Sequence, residues 1–271
     1  MFTFGFIGAG NMGLALLEAS YKTFGQDEVI YYDPSKEKCS DIKSRLNILP
    51  EKNNIAVVGK CNYLVLSVKP QYIHIVLEEI KNAVTPEHIV ISIAAGIEIQ
   101  SIKSILGSEI RVVRAMPNTP AMISKGCTGV SFSSDRFSDT ERSDLDRFFR
   151  SFGRYEIFEE NLMNAVTCAN GSSPAYVYTF IEALADSVVS LGIPRDKAYL
   201  FVAQTVMGAA SMVLETGEHP GVLKDKVCSP GGTTIAGIKA LEEHGFRNAI
   251  MKATDACYDR GVQLSLKSKD N

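Results

Sequence analysis

Phe2-Thr3-Phe4-Gly5-Phe6-Ile7, followed without interruption by Gly8-Ala9-Gly10-Asn11-Met12-Gly13, is the stretch on which the reading of the fold turns. Six residues rich in aromatic and β-branched side chains predict a strand from the first residues onward. Leu14, Leu17 and Tyr21 then recur at helical spacing, predicting a helix over 12–24. The six residues between are a G-x-G-x-x-G turn. Gly8 lets the chain reverse tightly, Gly10 lets backbone approach a pyrophosphate, and Gly13 lets helix pack on strand. The helix start behind them offers free N–H groups and a partial positive charge to phosphates. Glycine-rich turns are common, but one set between a strand and a helix reads as a dinucleotide-binding turn.

Working outward, short continuous apolar runs at Val29–Tyr32, 63–68, 89–94 and 111–115 alternate with helical stretches. Such runs predict strands of a parallel sheet covered on both faces. Two later strands, 128–132 and 155–158, flank a charged helix over 139–151. Residues 1–160 therefore read as an open doubly wound α/β domain. Beyond them no strand signal appears, and 161–271 read as all-helical. Ser173-Pro174 has the form of an N-cap and first helical residue, and Gly192, Pro194 and Gly217 mark further helix ends. Helices are expected over 196–216, 233–243 and 246–266. In the first of these, Ala198, Phe201, Val202, Val206, Ala209 and Val213 cover more of the circumference than one core needs. A thick monomeric core or burial against a second subunit would account for them, and the surplus favours the second.

The 271 residues carry a net charge of −3, with 45% hydrophobic and 22% charged residues, and a pI near 5.9. That balance gives no electrostatic case for a nucleic-acid partner. No run of about 18 uninterrupted apolar residues is present, so no membrane span is expected. The first residues read as strand and not as a leader, so a cytoplasmic protein is expected. Cys39, Cys61, Cys127, Cys168, Cys228 and Cys257 form no C-x-x-C pair, and His74, His88, His219 and His244 form no ligand pair. No metal site is expected.

Asp33 lies about 20 residues beyond Gly13, where an acid bonds the adenosine ribose hydroxyls and favours NADH. Ser35 and Lys36 follow and could hold a 2′-phosphate, favouring NADPH, if Asp33 turns away. Asp33-Pro34-Ser35 also reads as a plain turn and helix cap. Ligands of such sheets lie beyond the carboxyl ends of the strands, where three loops are unusual. They are Val68-Lys69-Pro70-Gln71, Ala94-Ala95-Gly96-Ile97 and Met116-Pro117-Asn118-Thr119-Pro120-Ala121. Lys69 suits either a cofactor contact or a solvated loop. In the helical half, Ser229-Pro230-Gly231-Gly232-Thr233-Thr234 opens a helix. Free backbone N–H groups and three hydroxyls there suit a carboxylate, or simply cap the helix. Gly171-Ser172-Ser173-Pro174 reads as a similar helix entrance. Cys228 has no adjacent histidine or cation and reads as a bystander.

The segments 6–13, 68–71, 92–97, 114–121, 171–178, 215–221 and 227–241 together resemble pyrroline-5-carboxylate reductase, in the family's order and along nearly the whole chain. The resemblance implies a Rossmann-type domain followed by a helical dimerisation domain, an active site where both meet, and rings built from dimers. It implies NADPH or NADH as cofactor, with the nicotinamide against Lys69-Pro70, Ala94-Ala95 and the loop from Met116, and Asn54 near the adenine ribose. It assigns the substrate carboxylate to Ser229–Thr234, with Gly232 and Thr233 in the cradle and Thr234 as a hydroxyl for the ring nitrogen or carboxylate. Lys226 departs from the Asn of some members, and Asp33 is more NAD-like than the residue of NADPH-preferring ones. The same architecture would also serve another imine or hydroxy-acid reductase. The lysine such hydroxy-acid enzymes need is missing from 161–173. A third reading is an NAD(P)-binding protein without turnover.

Overall fold

The computed structural model describes residues 2–267. The chain runs β1 (Phe2–Ile7), α1 (Asn11–Phe24), β2 (Val29–Tyr32), α2 (Lys36–Leu46), α3 (Asn54–Val58), β3 (Cys61–Leu66), α4 (Pro70–Ile80) and β4 (Ile89–Ser92). There follow α5 (Ile99–Leu106), β5 (Arg111–Met116), β6 (Gly126–Phe132), α6 (Asp139–Arg150) and β7 (Gly153–Ile157). The remainder is helical: α7 (Met163–Val166), α8 (Ser173–Ser190), α9 (Arg195–Thr216), α10 (Pro220–Val227), α11 (Thr233–Glu243) and α12 (Phe246–Lys267).

The seven strands form one sheet in the order β2-β1-β3-β4-β5-β6-β7, parallel except where β6 runs against β5. Helices cover both faces because the strands are apolar on both. Phe4, Phe6, Leu16, Tyr31 and Phe148 bury on one face, and Leu64, Leu66, Ile80, Val90 and Ile102 on the other. The Phe4 ring stacks on Tyr63 and Phe148 at centroid distances of 5.0 and 4.7 Å. The strand order reverses at β1, whose neighbours are β2 and β3. That reversal places the turn after β1 at the crevice where such sheets take ligands.

Two strands end two residues short of expectation. β3 ends at Leu66 and β4 at Ser92, two residues short of the apolar runs. Ile7 pairs with Leu66 and Leu66 with Ser92, so once Gly8 turns away, the ladder has no partner to extend against. Ser173-Pro174 is likewise not a helix entrance. Met163 to Ser190 is continuous helix whose middle, Thr167–Ser172, is a π-turn. A proline donates no N–H to the carbonyl four residues back and crowds it, and the widened turn just before Pro174 relieves this.

The chain divides into two compact units, 1–172 with the residues from Cys257 on, and 173–256. Residues 161–172 thus go with the sheet, unlike the expected division at 160/161. Met163 and Val166 bury with Met116 at its edge, and the Gly129 Cα lies against Val166. In the second unit α8 and α9 pack through Ala185, Ala198 and Val202. Of the expected α9 core only Ala198 and Val202 are buried, while Phe201 stands 67% exposed and Leu200 68%. A thick core within one chain therefore does not form. Among the described residues, α9 is also the one helix long and apolar enough to cross a membrane by length and composition, an amendment to the expectation of none.

Candidate functional site

The turn after β1 is shaped by close approach. Gly8 has φ 93°, its N–H donates to Tyr32 O at 2.9 Å, and a Cβ there would stand 2.9 Å from Ser67 O. A Cβ on Gly13 would stand 2.6 Å from Gly8 O, so α1 lies directly on the turn. Gly10 differs. It is the N-cap of α1, its Cβ would meet no atom within 4 Å, and no side chain caps the helix. The first N–H groups of α1 therefore face open space, which fits an incoming pyrophosphate and would be closed by a side chain. Ala9 is buried, Asn11 exposed, and Met12 leans on the core.

Asp33 is placed at this turn but faces inward. Ala9 N–H donates to its Oδ2 at 2.8 Å, Ser35 N–H to its Oδ1 at 2.9 Å, and Lys38 Nζ lies 3.2 Å from Oδ2. The residue is 6% exposed. Ser35 caps α2 by accepting from Lys38 N–H, as the turn-and-cap reading expects, and Lys36 is exposed as the first residue of α2. Asn54 opens α3, buried, with Nδ2 donating to Glu79 Oε2 at 2.7 Å.

The remaining loops leave the same edge of the sheet. Lys69 is the exposed N-cap of α4, Pro70 its first residue, and Val68 packs partly on the core. Ala94 is buried, while Ala95 packs on Met116 and Met163. Met116 ends β5 and Pro117 is buried. Asn118 Oδ1 accepts from Cys127 N–H at 3.0 Å, tying the loop to β6.

Three residues the sequence did not single out hold these loops. Ser67 Oγ donates toward Gly8 O at 2.6 Å, joining the ends of β1 and β3. Asn170, in the π-turn, donates from Nδ2 to Met116 O at 2.6 Å. Glu160 Oε1 accepts Ile99 N–H at 2.7 Å and pairs with the buried Arg114 at 3.3 Å, bridging the start of α5 and β5. A hydroxyl directly behind a strand beside a glycine turn is the one signal that could have marked Ser67.

In the second unit Gly231 has φ 67° and Gly232 caps α11 with no side-chain hydrogen bond. Gly232 N–H donates to Ser229 O at 3.0 Å, and a Cβ on Gly232 would collide with Ser229 Oγ. Thr233 and Thr234 are the exposed first residues of α11. The N–H groups of this first turn are left to an outside acceptor, with hydroxyls alongside, a set suited to a carboxylate. The buried Cys61 thiol is pushed up to about 12 by burial, and that of Cys168 to about 11 by burial and by Cys257. Neither is a thiolate nucleophile at neutral pH. Among the described residues no group of three or more His, Cys, Asp or Glu is arranged to hold a metal.

Two family models match: pyrroline-5-carboxylate reductase dimerisation over residues 160–264, and NADP oxidoreductase, coenzyme F420-dependent, over 3–96. Pyrroline-5-carboxylate reductase of Escherichia coli K12 is 42% identical over 264 residues, covering 96% of this chain and 97% of its own. That of Methanosarcina acetivorans is 41% identical over 270 residues, covering 97% and 98%. The NADP-bound crystal structure of the Plasmodium falciparum pyrroline carboxylate reductase superposes with a TM-score of 0.88 at 30% identity, over 97% of this chain and 98% of that one. Identity at this level extends over nearly the whole of both chains, and the chain belongs to the pyrroline-5-carboxylate reductase family.

Proposed function

We infer that the chain catalyses NAD(P)H-dependent reduction of Δ1-pyrroline-5-carboxylate to L-proline. The observation that carries the reading is identity above 40% along nearly the whole length, with neither the nucleotide half nor the helical half missing. NAD(P)H supplies the hydride, which adds to the imine carbon of a ring whose nitrogen is already protonated. The protein's work is then orientation more than acid catalysis. In this reading Gly8, Ala9, Gly10, Asn11, Met12 and Gly13 hold the pyrophosphate on the open start of α1. Ser35, Lys36 and Asn54 flank the adenosine end. Val68, Lys69, Pro70, Ala94, Ala95, Met116, Pro117 and Asn118 line the place of the nicotinamide, with small residues leaving room for a flat ring. Ser229, Gly232, Thr233 and Thr234 hold the substrate carboxylate by backbone N–H groups and hydroxyls, fixing which face of the ring meets the hydride.

The match to a dimerisation domain over 160–264 accounts for the apolar surface of α9 without a membrane. Pairing of two subunits through that helix, assembly of dimers into a ring, and a cytoplasmic place are parts of this reading. Oxidation of NADH and of NADPH, each followed with pyrroline-5-carboxylate, tests it. Imine-dependent oxidation with formation of proline is expected, and its absence with both nucleotides rejects the reading.

A further inference from the structure

We propose that Lys38, by holding the Asp33 carboxylate on the protein's own glycine turn, tips cofactor choice toward the 2′-phosphorylated nucleotide. The proposal rests on the reductase reading above. An acid at the end of the second strand of this fold accepts from the ribose hydroxyls and repels a 2′-phosphate. The identity of residue 33 taken alone therefore points to NADH, while Ser35 and Lys36 leave NADPH open. The geometry reverses that. An ionised carboxylate has about four acceptor directions, and here three donors already occupy it: Ala9 N–H at 2.8 Å, Ser35 N–H at 2.9 Å and Lys38 Nζ at 3.2 Å. With the side chain 5% exposed, almost none of it faces a ribose. Asp33 thus acts as a positioning residue, pinning Ala9 inside the glycine turn. Lys38, whose side chain is 47% exposed, cancels the charge that would oppose a phosphate while staying open to solvent one turn into the helix that Ser35 caps.

Removing Lys38 leaves the carboxylate with an uncompensated charge and one fewer internal partner. It then repels a 2′-phosphate and is freer to accept from ribose hydroxyls. The test is calorimetric titration of the intact protein with ADP-ribose and with 2′-phospho-ADP-ribose, which reads nucleotide binding without turnover. The wild type is expected to bind the 2′-phosphorylated fragment at least as tightly as the other. In Lys38→Met the ratio of affinities is expected to move toward ADP-ribose by at least about tenfold, and Asp33→Asn added to Lys38→Met to restore most of it. The NADPH-to-NADH ratio of kcat/KM should move the same way in each variant. ADP-ribose affinity in each variant serves as the internal measure that the site is folded.

A wild type that prefers ADP-ribose by more than about tenfold overturns the proposal, because Asp33 then reads the ribose. So does a Lys38→Met ratio within about twofold of wild type, or a double variant that recovers nothing, which would mean that Lys38 acts on the phosphate without Asp33. Fragment binding in the expected pattern without imine-dependent oxidation would sink the reductase reading and leave this one standing.

Discussion

Thr234 sits one residue inside α11, exposed, behind a glycine pair that no side chain caps. Among the described residues no hydrogen bond engages its hydroxyl, whereas Ser229 is packed against Gly232. On the reductase reading, Thr234→Ala raises KM for the imine and lowers kcat, together about tenfold or more in kcat/KM, the effect of losing one hydrogen bond to a charged group. Binding of ADP-ribose should survive the change. Steady-state kinetics beside a nucleotide titration separate the two, and wild-type kinetics in the variant would remove Thr234 from the substrate site. Asp33 shows the opposite relation of residue to role. Its position was legible, but the direction of its carboxylate depends on Ala9, Ser35 and Lys38 together, and no spacing rule encodes that.

At the scale of elements, α6 shows how a local sequence pattern becomes stability. Ser138 Oγ accepts from Glu141 N–H at 3.3 Å while Glu141 Oε2 accepts from Ser138 N–H at 2.7 Å, a capping box. Glu141 also pairs with Arg111 at the start of β5, fastening helix to sheet. Burial pushes the Glu141 carboxyl upward, but bonds from Ser138 and Arg111 outweigh it and hold the group below its ordinary value of 4.5. A lowered pKa in the fold means that the contribution is complete above that ordinary value and is lost as pH falls through the lowered one. Glu141→Gln keeps an acceptor for the cap but removes the charge. It should cost about 1 kcal/mol at neutral pH, and the two stability curves should converge as pH falls through the lowered pKa of the folded state. Urea denaturation across pH reads this directly, and a constant offset down to the lowest pH would refute it.

The same scale shows where the sequence was readable. Strands came from continuous apolar runs, and their starts at Val29, Ile89 and Arg111 fall where those runs begin. Their ends were set by pairing, which is non-local, so Val68 and Ala94 stayed apolar yet left the ladder. The π-turn at Thr167–Ser172 was hidden because Ser173-Pro174 carries the signature of a helix start even inside a helix. The helix α10 was missed as well. Its marks are only Pro220 at the first position and His219 Nδ1 accepting from Gly221 N–H, with no apolar face buried in the chain.

For the whole molecule, the helical unit cannot hide its own apolar surface. Phe201, Met207, Met212 and Leu214 stand at least half exposed along one helix, more than a lone subunit of this size leaves on a single element. The match to a dimerisation domain over 160–264 suggests oligomerisation. Replacing Phe201 with Glu places a charge where a second subunit is expected to bury an aromatic ring, and should cost several kcal/mol of association. Sedimentation velocity should then show monomers where the wild type shows dimers or larger assemblies. An unchanged sedimentation coefficient would place the subunit contact elsewhere.

The two uncapped helix starts, behind Gly10 and behind Gly232, carry a consequence for acid–base behaviour. Both anions of the proposed reaction would be met mainly by peptide N–H groups, which gain and lose no proton in the working range of an enzyme. Those two helix starts would then add no ionisation of their own to the grip on the pyrophosphate or on the substrate carboxylate. A bell or slope in the rate as pH changes would then arise away from these helix starts, at the imine nitrogen of the substrate, at a 2′-phosphate of the nucleotide or at the Asp33–Lys38 pair beside it.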